Sequence, residues 1–396
     1  MRVGWLRIAA VAGLLAISCG PTNNLGRATS SPSVYGSPSI DPTPVPAATP
    51  TFNGPPTPAS SARTDTCSAV QPAPMFPPSG ATTRKFALVS LSGSTDFVVR
   101  DVTDINHPFT VSSLGSQVNY AAKFVNDAEL STADGSVGLL RMPLSGSPKT
   151  VVTACGALAF PFAWSPDSTA VAYARSTPDP QIQKLHLVYG GQDRVVDSMP
   201  AIPAIGCEQR SCGDNWDFRM LYSQNGAYIS LVELPGAGLR IWTSSGSMVR
   251  SVDGNSPTMS VWSGNTLYWR DDKGVEMWRD GSQSLLLSGV SWIRPKASAD
   301  GGQVVYETRD AGYTTAHVFL LNTITGKTRQ IAQSRSEPVF LTPRYLWYMG
   351  ERPCKASDAC AFGPTIATVP YIYDLQTGTE YQSIISTVWD VWPHAG

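Results

Sequence analysis

From Arg84 to Gly396 apolar and polar residues alternate in short runs, and Gly, Asp, Asn and Ser punctuate them at close, even intervals. A period of two belongs to strands with one face buried, and no stretch holds the 3.6-residue period of an amphipathic helix for a useful length. The pattern predicts an all-β body, and internal repetition decides which kind. The clearest unit is Phe160-Pro-Phe-Ala-Trp-Ser-Pro-Asp-Ser-Thr-Ala-Val-Ala-Tyr-Ala174: an apolar strand, a Ser-Pro-Asp-Ser turn and a second alternating strand.

Degenerate copies follow. They begin at Tyr120, Phe218, Met259, Arg294 and Val339, with turns such as Ser223-Gln-Asn-Gly226 and Ser298-Ala-Asp-Gly-Gly302. A third strand and a polar turn come after each pair, as in His317 to Ile331 and Tyr371 to Tyr381. These residues resemble the WD40-like repeats of periplasmic TolB-type β-propellers, with inner strand, Ser-Pro-Asp-Gly, second strand and a third strand ending in Asp-x-x-Thr-Gly. The resemblance implies a propeller over 84–396 and says little about activity, because propellers host many unrelated functions.

Six inner strands are visible in this count, and a seventh lies at the C-terminus in Val388-Trp-Asp-Val-Trp-Pro-His-Ala-Gly396, with no strand after it. The body starts at Lys85-Phe-Ala-Leu-Val-Ser-Leu91 with an outer strand and no inner one. Each fragment supplies what the other lacks, so the expectation is seven blades with the C-terminal strand closing the first. Six blades is the alternative, if one weak repeat is an insertion.

The N-terminal region reads differently. Arg2 and Arg7 flank the start of an apolar run that reaches Ile17, followed by Ser18 and Cys19. A basic segment, an apolar segment too short to span a bilayer and small residues before a Cys make a secretory signal. The segment resembles the bacterial lipobox, which implies cleavage after residue 18, lipidation of Cys19 and attachment to the cell membrane outside the cytoplasm. Residues 19–83 are rich in Pro, Ser, Thr, Ala and Gly, with runs such as Gly54-Pro-Pro-Thr-Pro58. Such a segment cannot bury enough apolar area to offset chain entropy, and reads as a disordered tether reaching more than roughly 100 Å when extended.

Export places the other six cysteines where thiols oxidise. Cys207 and Cys212, and Cys354 and Cys360, form two close local pairs; the chain before the first strand is long enough to let Cys67 reach Cys155, though the sequence leaves that pairing open. In a four-stranded blade the connections from second to third strand, and from the last strand to the next blade, share one face, here called the top. The Cys354–Cys360 segment, the Cys207–Cys212 segment and Cys155 all fall in such connections. Stapled loops of this length suit a preorganised binding surface, or simply resist proteolysis. The candidate contacts are Arg210, Asp214, Trp216, Asp310, Tyr313, Arg352, Lys355, Asp358 and Phe362.

Charged residues make up 15 % of the 396 residues and the formal net charge is -1, a balance that argues against a nucleic-acid partner. No Gly-x-Ser-x-Gly occurs, and His107, His186, His317 and His394 are scattered, so neither a hydrolase triad nor a metal centre is expected and no cofactor is implied. Asp271-Asp-Lys-Gly274 reads as a turn, not a calcium loop. The expectation is a tethered lipoprotein whose propeller binds a protein or glycan without catalysis. The competing reading is an extracellular carbohydrate-active or lactone-hydrolysing enzyme in the central channel. Carboxylates converging at the channel mouth would favour the enzyme; an apolar, aromatic patch on the top rim would favour the binder.

Overall fold

The computed structural model describes residues 84–90, 96–115, 122–134, 138–145, 149–153, 162–177, 179, 182–200, 219–232, 238–253, 258–311, 315–353 and 366–393. They form seven four-stranded antiparallel sheets, each running inner to outer in chain order except the first. Blade 1 takes its inner strand, Val388–Trp392, from the C-terminal end and adds Phe86–Ser90, Phe97–Asp101 and Phe109–Gly115. Blade 2 is Lys123–Asn126, Glu129–Asp134, Gly138–Pro143 and Lys149–Thr153; blade 3 is Phe162–Trp164, Ala170–Ser176, Ile182–Tyr189 and Gln192–Pro200. Blade 4 comprises Arg219–Tyr222, Tyr228–Val232, Leu239–Thr243 and Met248–Val252, and blade 5 Thr258–Ser263, Thr266–Arg270, Gly274–Arg279 and Ser282–Ser288. Ile293–Ala297, Gln303–Arg309, Ala316–Asn322 and Thr328–Gln333 make blade 6; Arg335–Phe340, Tyr345–Pro353, Ile366–Asp374 and Thr379–Gln382 make blade 7.

The expected closure is present. Phe86 pairs with Trp392 and Leu88 with Asp390, Ser90 N donates to Thr387 O at 3.1 Å, and Ser386 Oγ donates to Ser90 O. Asp390 also accepts from Phe124 N at 2.7 Å, so the last strand ties blade 1 to blade 2. Seven hydrophobic clusters fill the seven seams between neighbouring blades, from Phe86, Leu88, Phe124 and Leu130 between blades 1 and 2 to Trp347, Ile372, Val89 and Val391 between blades 7 and 1. Strand alternation explains this directly: Phe86 and Leu88 face one neighbour, while Ala87 and Val89 face the other. The seam between blades 4 and 5 holds three buried tryptophans, Trp262, Trp269 and Trp278. Tyr228 stacks on Trp262 at 5.8 Å, and Trp262 donates its indole N–H to Ser230 Oγ at 2.8 Å.

The repeated turn is a repeated hydrogen-bond device. In blade 3 Ser165 Oγ donates to Asp167 Oδ1 at 2.6 Å and accepts from Ala170 N at 2.9 Å. Blade 4 repeats this with Ser223, Asn225 and Tyr228 N, at 2.8 and 2.9 Å, and blade 6 with Ser298, Asp300 and Gln303 N, at 2.5 and 2.9 Å. The fourth turn residue is left-handed in all three: Ser168 at φ 62, Gly226 at 72 and Gly301 at 69. Only glycine adopts that conformation without a Cβ penalty, and Ser168 offsets it by donating to Val125 O of blade 2 at 2.6 Å. The outer hairpins repeat too: Asn322 and Asp374 each accept backbone N–H bonds from the two following turn positions, and Gly326 and Gly378 close the turns at positive φ.

Outer strands carry a register shift in every blade from 1 to 6, and the outer strand of blade 7 is four residues long. Bulges and short edges are the ordinary defence of an exposed sheet edge against pairing with another chain. One bulged residue, Val196 of blade 3, also packs against the blade 4 turn at Gly246, where an added Cβ would lie 2.5 Å from Val196 Cγ1.

Candidate functional site: the top-face mouth of blades 5 to 7

Because consecutive strands are antiparallel, the strand ends Thr153 and Phe162, Pro200 and Arg219, and Pro353 and Ile366 all lie on the face reached by second-to-third and blade-to-blade connections. The segments joining them hold Cys155, Cys207, Cys212, Cys354, Cys360, Arg210, Asp214, Trp216, Lys355, Asp358 and Phe362, which lie outside the described residues, as do Cys19, Cys67 and Tyr313. Arg352 stands on the second strand of blade 7 opposite Ala367, one residue from its top end. Of the candidate contacts, only Asp310 has a described side chain.

Asp310 caps the second strand of blade 6 on the top face. Its carboxylate accepts from His317 Nε2 at 2.6 Å, and its N–H donates to Thr315 O at 3.1 Å. The hydrogen bond from His317, with another from Thr315, holds the Asp310 carboxyl below its usual range. Gln330 Nε2 lies 3.4 Å from His317 Nδ1, so the ring is engaged on both nitrogens.

On the other face of the same blade, toward blade 7, lies a cluster that sequence reasoning missed. Glu307, two residues before Arg309, has a fully buried side chain. It accepts from Arg309 Nε at 2.7 Å, from Arg294 Nη1 at 3.2 Å and from the backbone N of Glu337 at 3.1 Å. Arg294 Nη1 also lies 3.7 Å from Glu337 Oε1. One carboxylate therefore links three strands of two blades. Next to it in blade 5, Arg270 donates from Nε to Thr258 Oγ1 at 3.0 Å and from Nη1 to Trp292 O at 3.2 Å.

The backbone beneath is distorted in the same way three times. Met259, Arg294 and Glu337, near the top of the inner strands of blades 5, 6 and 7, have φ of 50, 50 and 57, and each sits at a shift in strand register. A left-handed conformation at a non-glycine residue costs about 1–3 kcal/mol and persists where surrounding groups fix it. Here the groups are identifiable: Trp292 Nε1 donates to Met259 O at 3.0 Å, and Glu307 accepts from Glu337 N. Arg294-Pro295 and Glu337-Pro338 were the available signal, since a proline inside a strand marks a bulge or edge. The inner strand of blade 7 consequently begins at Arg335, four residues before the apolar run that suggested Val339 as its start.

Two carboxylates, Glu307 and Glu337, thus converge near the channel mouth, both close to the Arg294 guanidinium. Among the described residues the top face has only Ile182 and Ile384 as exposed large hydrophobics, on separate blades. The others lie at the lower ends or outer edges of the blades, Ile324 and Phe109 among them. No group of three or more His, Cys, Asp or Glu suited to a metal ion occurs among the described residues. Asp271 accepts from Lys273 N and Gly274 N at 2.8 and 3.1 Å, the turn expected there.

No protein-family model matches the sequence, and no curated protein matches it. Among solved structures it is similar to an oligogalacturonate lyase in complex with manganese, at 14 % identity over 76 % of this chain and 84 % of that one, with a TM-score of 0.48. A putative TolB from Agrobacterium tumefaciens aligns at 14 % identity over 64 % and 90 % of the two chains, with a TM-score of 0.39. The β-propeller domain of the Trilobed protease from Pyrococcus furiosus aligns at 9 % identity over 67 % and 82 %, with a TM-score of 0.43. TolB proteins and propeller domains are therefore among its structural neighbours, while the assignment to seven-bladed propellers rests on the sheet order itself.

Proposed function

We propose that this chain is an exported, lipid-anchored propeller that binds a protein or glycan through its top face without transforming it. The observation that supports this most is that the longest blade connections leave from the face where Glu307, Arg294 and Arg309 form a fixed charged cluster. A surface whose side chains are already held loses less freedom on binding. In this reading Cys19 carries the lipid, the segment up to residue 83 sets the distance from the membrane, and disulfides Cys207–Cys212 and Cys354–Cys360 staple two of the connections. Cys67 pairs with Cys155.

Replacing residues 204–215 and 355–365 by short Gly-Ser connections in the full-length protein should abolish retention of its ligand in a screen of cell-wall glycans, exogenous glycans and extracellular proteins. Retention unchanged by both replacements would sink the top-face reading. Cys19→Ser should release the protein from the membrane fraction, and unaltered fractionation would refute the anchor. The enzyme reading has one observation in its favour, the approach of Glu307 and Glu337 to the same guanidinium nitrogen. Turnover of a bound oligosaccharide, lost in Glu337→Gln, would establish it instead.

A further inference from the structure

We propose that the ligand of this top face is an uncharged, polyhydroxylated chain, a neutral glycan, gripped by the mouth of blades 5 to 7. The inference rests on the top-face reading above and narrows it in both place and chemistry. It starts from the charge inventory. Arg294 and Arg309 stand against Glu307 and Glu337, two positive groups and two negative ones on adjoining strands of blades 6 and 7. A polyanion would meet as many carboxylates as guanidiniums, and a polycation would meet the reverse. A neutral ligand meets neither conflict, so the balance selects against charge on the partner.

In the seam between blades 6 and 7 the Arg309 donor and the Glu337 acceptor both stand around Glu307, while Asp310 with His317 lies on the other face of the blade 6 sheet. A sugar hydroxyl both donates and accepts, and neighbouring hydroxyls can answer a carboxylate and a guanidinium placed side by side. The groups that reach solvent are the outer members of the network: the Arg309 side chain is 31 % exposed and Glu337 22 %, while Glu307 behind them is sealed. Glu307 fixes the orientation of Arg309 and, through the backbone N of Glu337, the bulge that carries Glu337. It acts as a positioning residue.

The test is calorimetric titration of the full-length protein with neutral, uronic-acid-bearing and aminated oligosaccharides, at low and at about 0.5 M salt. Glu337→Gln and Arg309→Gln serve as site variants, and Gln224→Ala on the opposite face as control. Each variant's melting temperature is recorded, to separate lost binding from lost fold. The expected result is saturable binding of a neutral oligosaccharide, little changed by salt, weakened tenfold or more by each site variant and untouched by the control. Three outcomes would overturn the inference: binding confined to charged oligosaccharides and suppressed by salt, neutral binding unaffected by both site variants, or no oligosaccharide bound. If no oligosaccharide binds but a protein is retained through the 204–215 and 355–365 connections, the glycan inference fails and the top-face reading stands. Should those connections also prove irrelevant, both fail.

Discussion

The two ends of the same ring are built on opposite plans. At the lower end short turns lock onto one another. Gln224 of blade 4 accepts from Gly264 N of blade 5 and donates to Ser298 O of blade 6 at 2.9 Å, while Ser263 Oγ donates to Gly301 O at 2.5 Å. At the upper end the inner strands of blades 5 to 7 are bulged into left-handed conformations, and the longest connections depart there. The lower end spends its polar groups on joining blades. The upper end holds charged groups in place around an opening. Strand order alone makes the two ends inequivalent, so one can serve architecture while the other varies.

The largest effect should come from breaking the ring itself. Deleting 387–396 removes the inner strand of blade 1 and its bonds to blade 2, leaves Phe86–Ser90 with an open edge, and should cause aggregation or loss of cooperative unfolding by calorimetry. A truncated protein that melts like the parent would contradict the closure. Trp262→Ala should follow, costing about 3–5 kcal/mol in denaturant unfolding, since it empties a packed aromatic seam.

Lower-end turns come next. Gly301→Ala puts a Cβ 2.7 Å from Gln224 Oε1 and 2.9 Å from Gly264 N at φ +69, and should destabilise by about 1–3 kcal/mol without altering affinity for the ligand. Altered affinity would show that the two ends are coupled. Reducing the proposed Cys207–Cys212 and Cys354–Cys360 disulfides should do the reverse, weakening binding while shifting the melting temperature little, because each would close a short loop. Non-reducing peptide mapping settles the pairing first; Cys207 joined to Cys354 would remove the basis for that expectation.

The smallest effect is acid sensitivity, and it should touch both ends. Hydrogen bonds from Ser298 and Gly302 N lower the Asp300 carboxyl below its ordinary value, as those from His317 and Thr315 do for Asp310. A carboxylate with a lowered folded value contributes stability that is complete above the unfolded value of about 4 and lost as pH falls through the folded one. Urea midpoints should therefore be flat from pH 7 to about 5 and decline below 4, with a shallower decline in Asp300→Asn.

Most of the ring was legible because its signals are local. Ser165-Pro-Asp-Ser168 and Ser298-Ala-Asp-Gly301 encode their turns in four residues each, and alternation within a strand such as Phe86–Ser90 already dictates which neighbour each side chain meets. The unpaired terminal strand could be seen as a missing piece by counting. The charged mouth could not. Arg294, Glu307 and Glu337 belong to three strands separated by loops and a whole hairpin, and their meeting depends on bulges that a period-two reading treats as breaks. Of the residues singled out by loop chemistry, Asp310 alone stands beside that mouth with a described side chain, paired with a histidine that had looked isolated.

The proposed division, function at the upper end and architecture at the lower, is tested directly by hydrogen-exchange footprinting of the full-length protein with and without a neutral oligosaccharide. The account predicts added protection in 293–296, 305–311, 315–318 and 335–338, and none in the turns at 165–169, 223–227 and 298–302. Protection centred on those turns, with the blade 5 to 7 mouth unchanged, would contradict it.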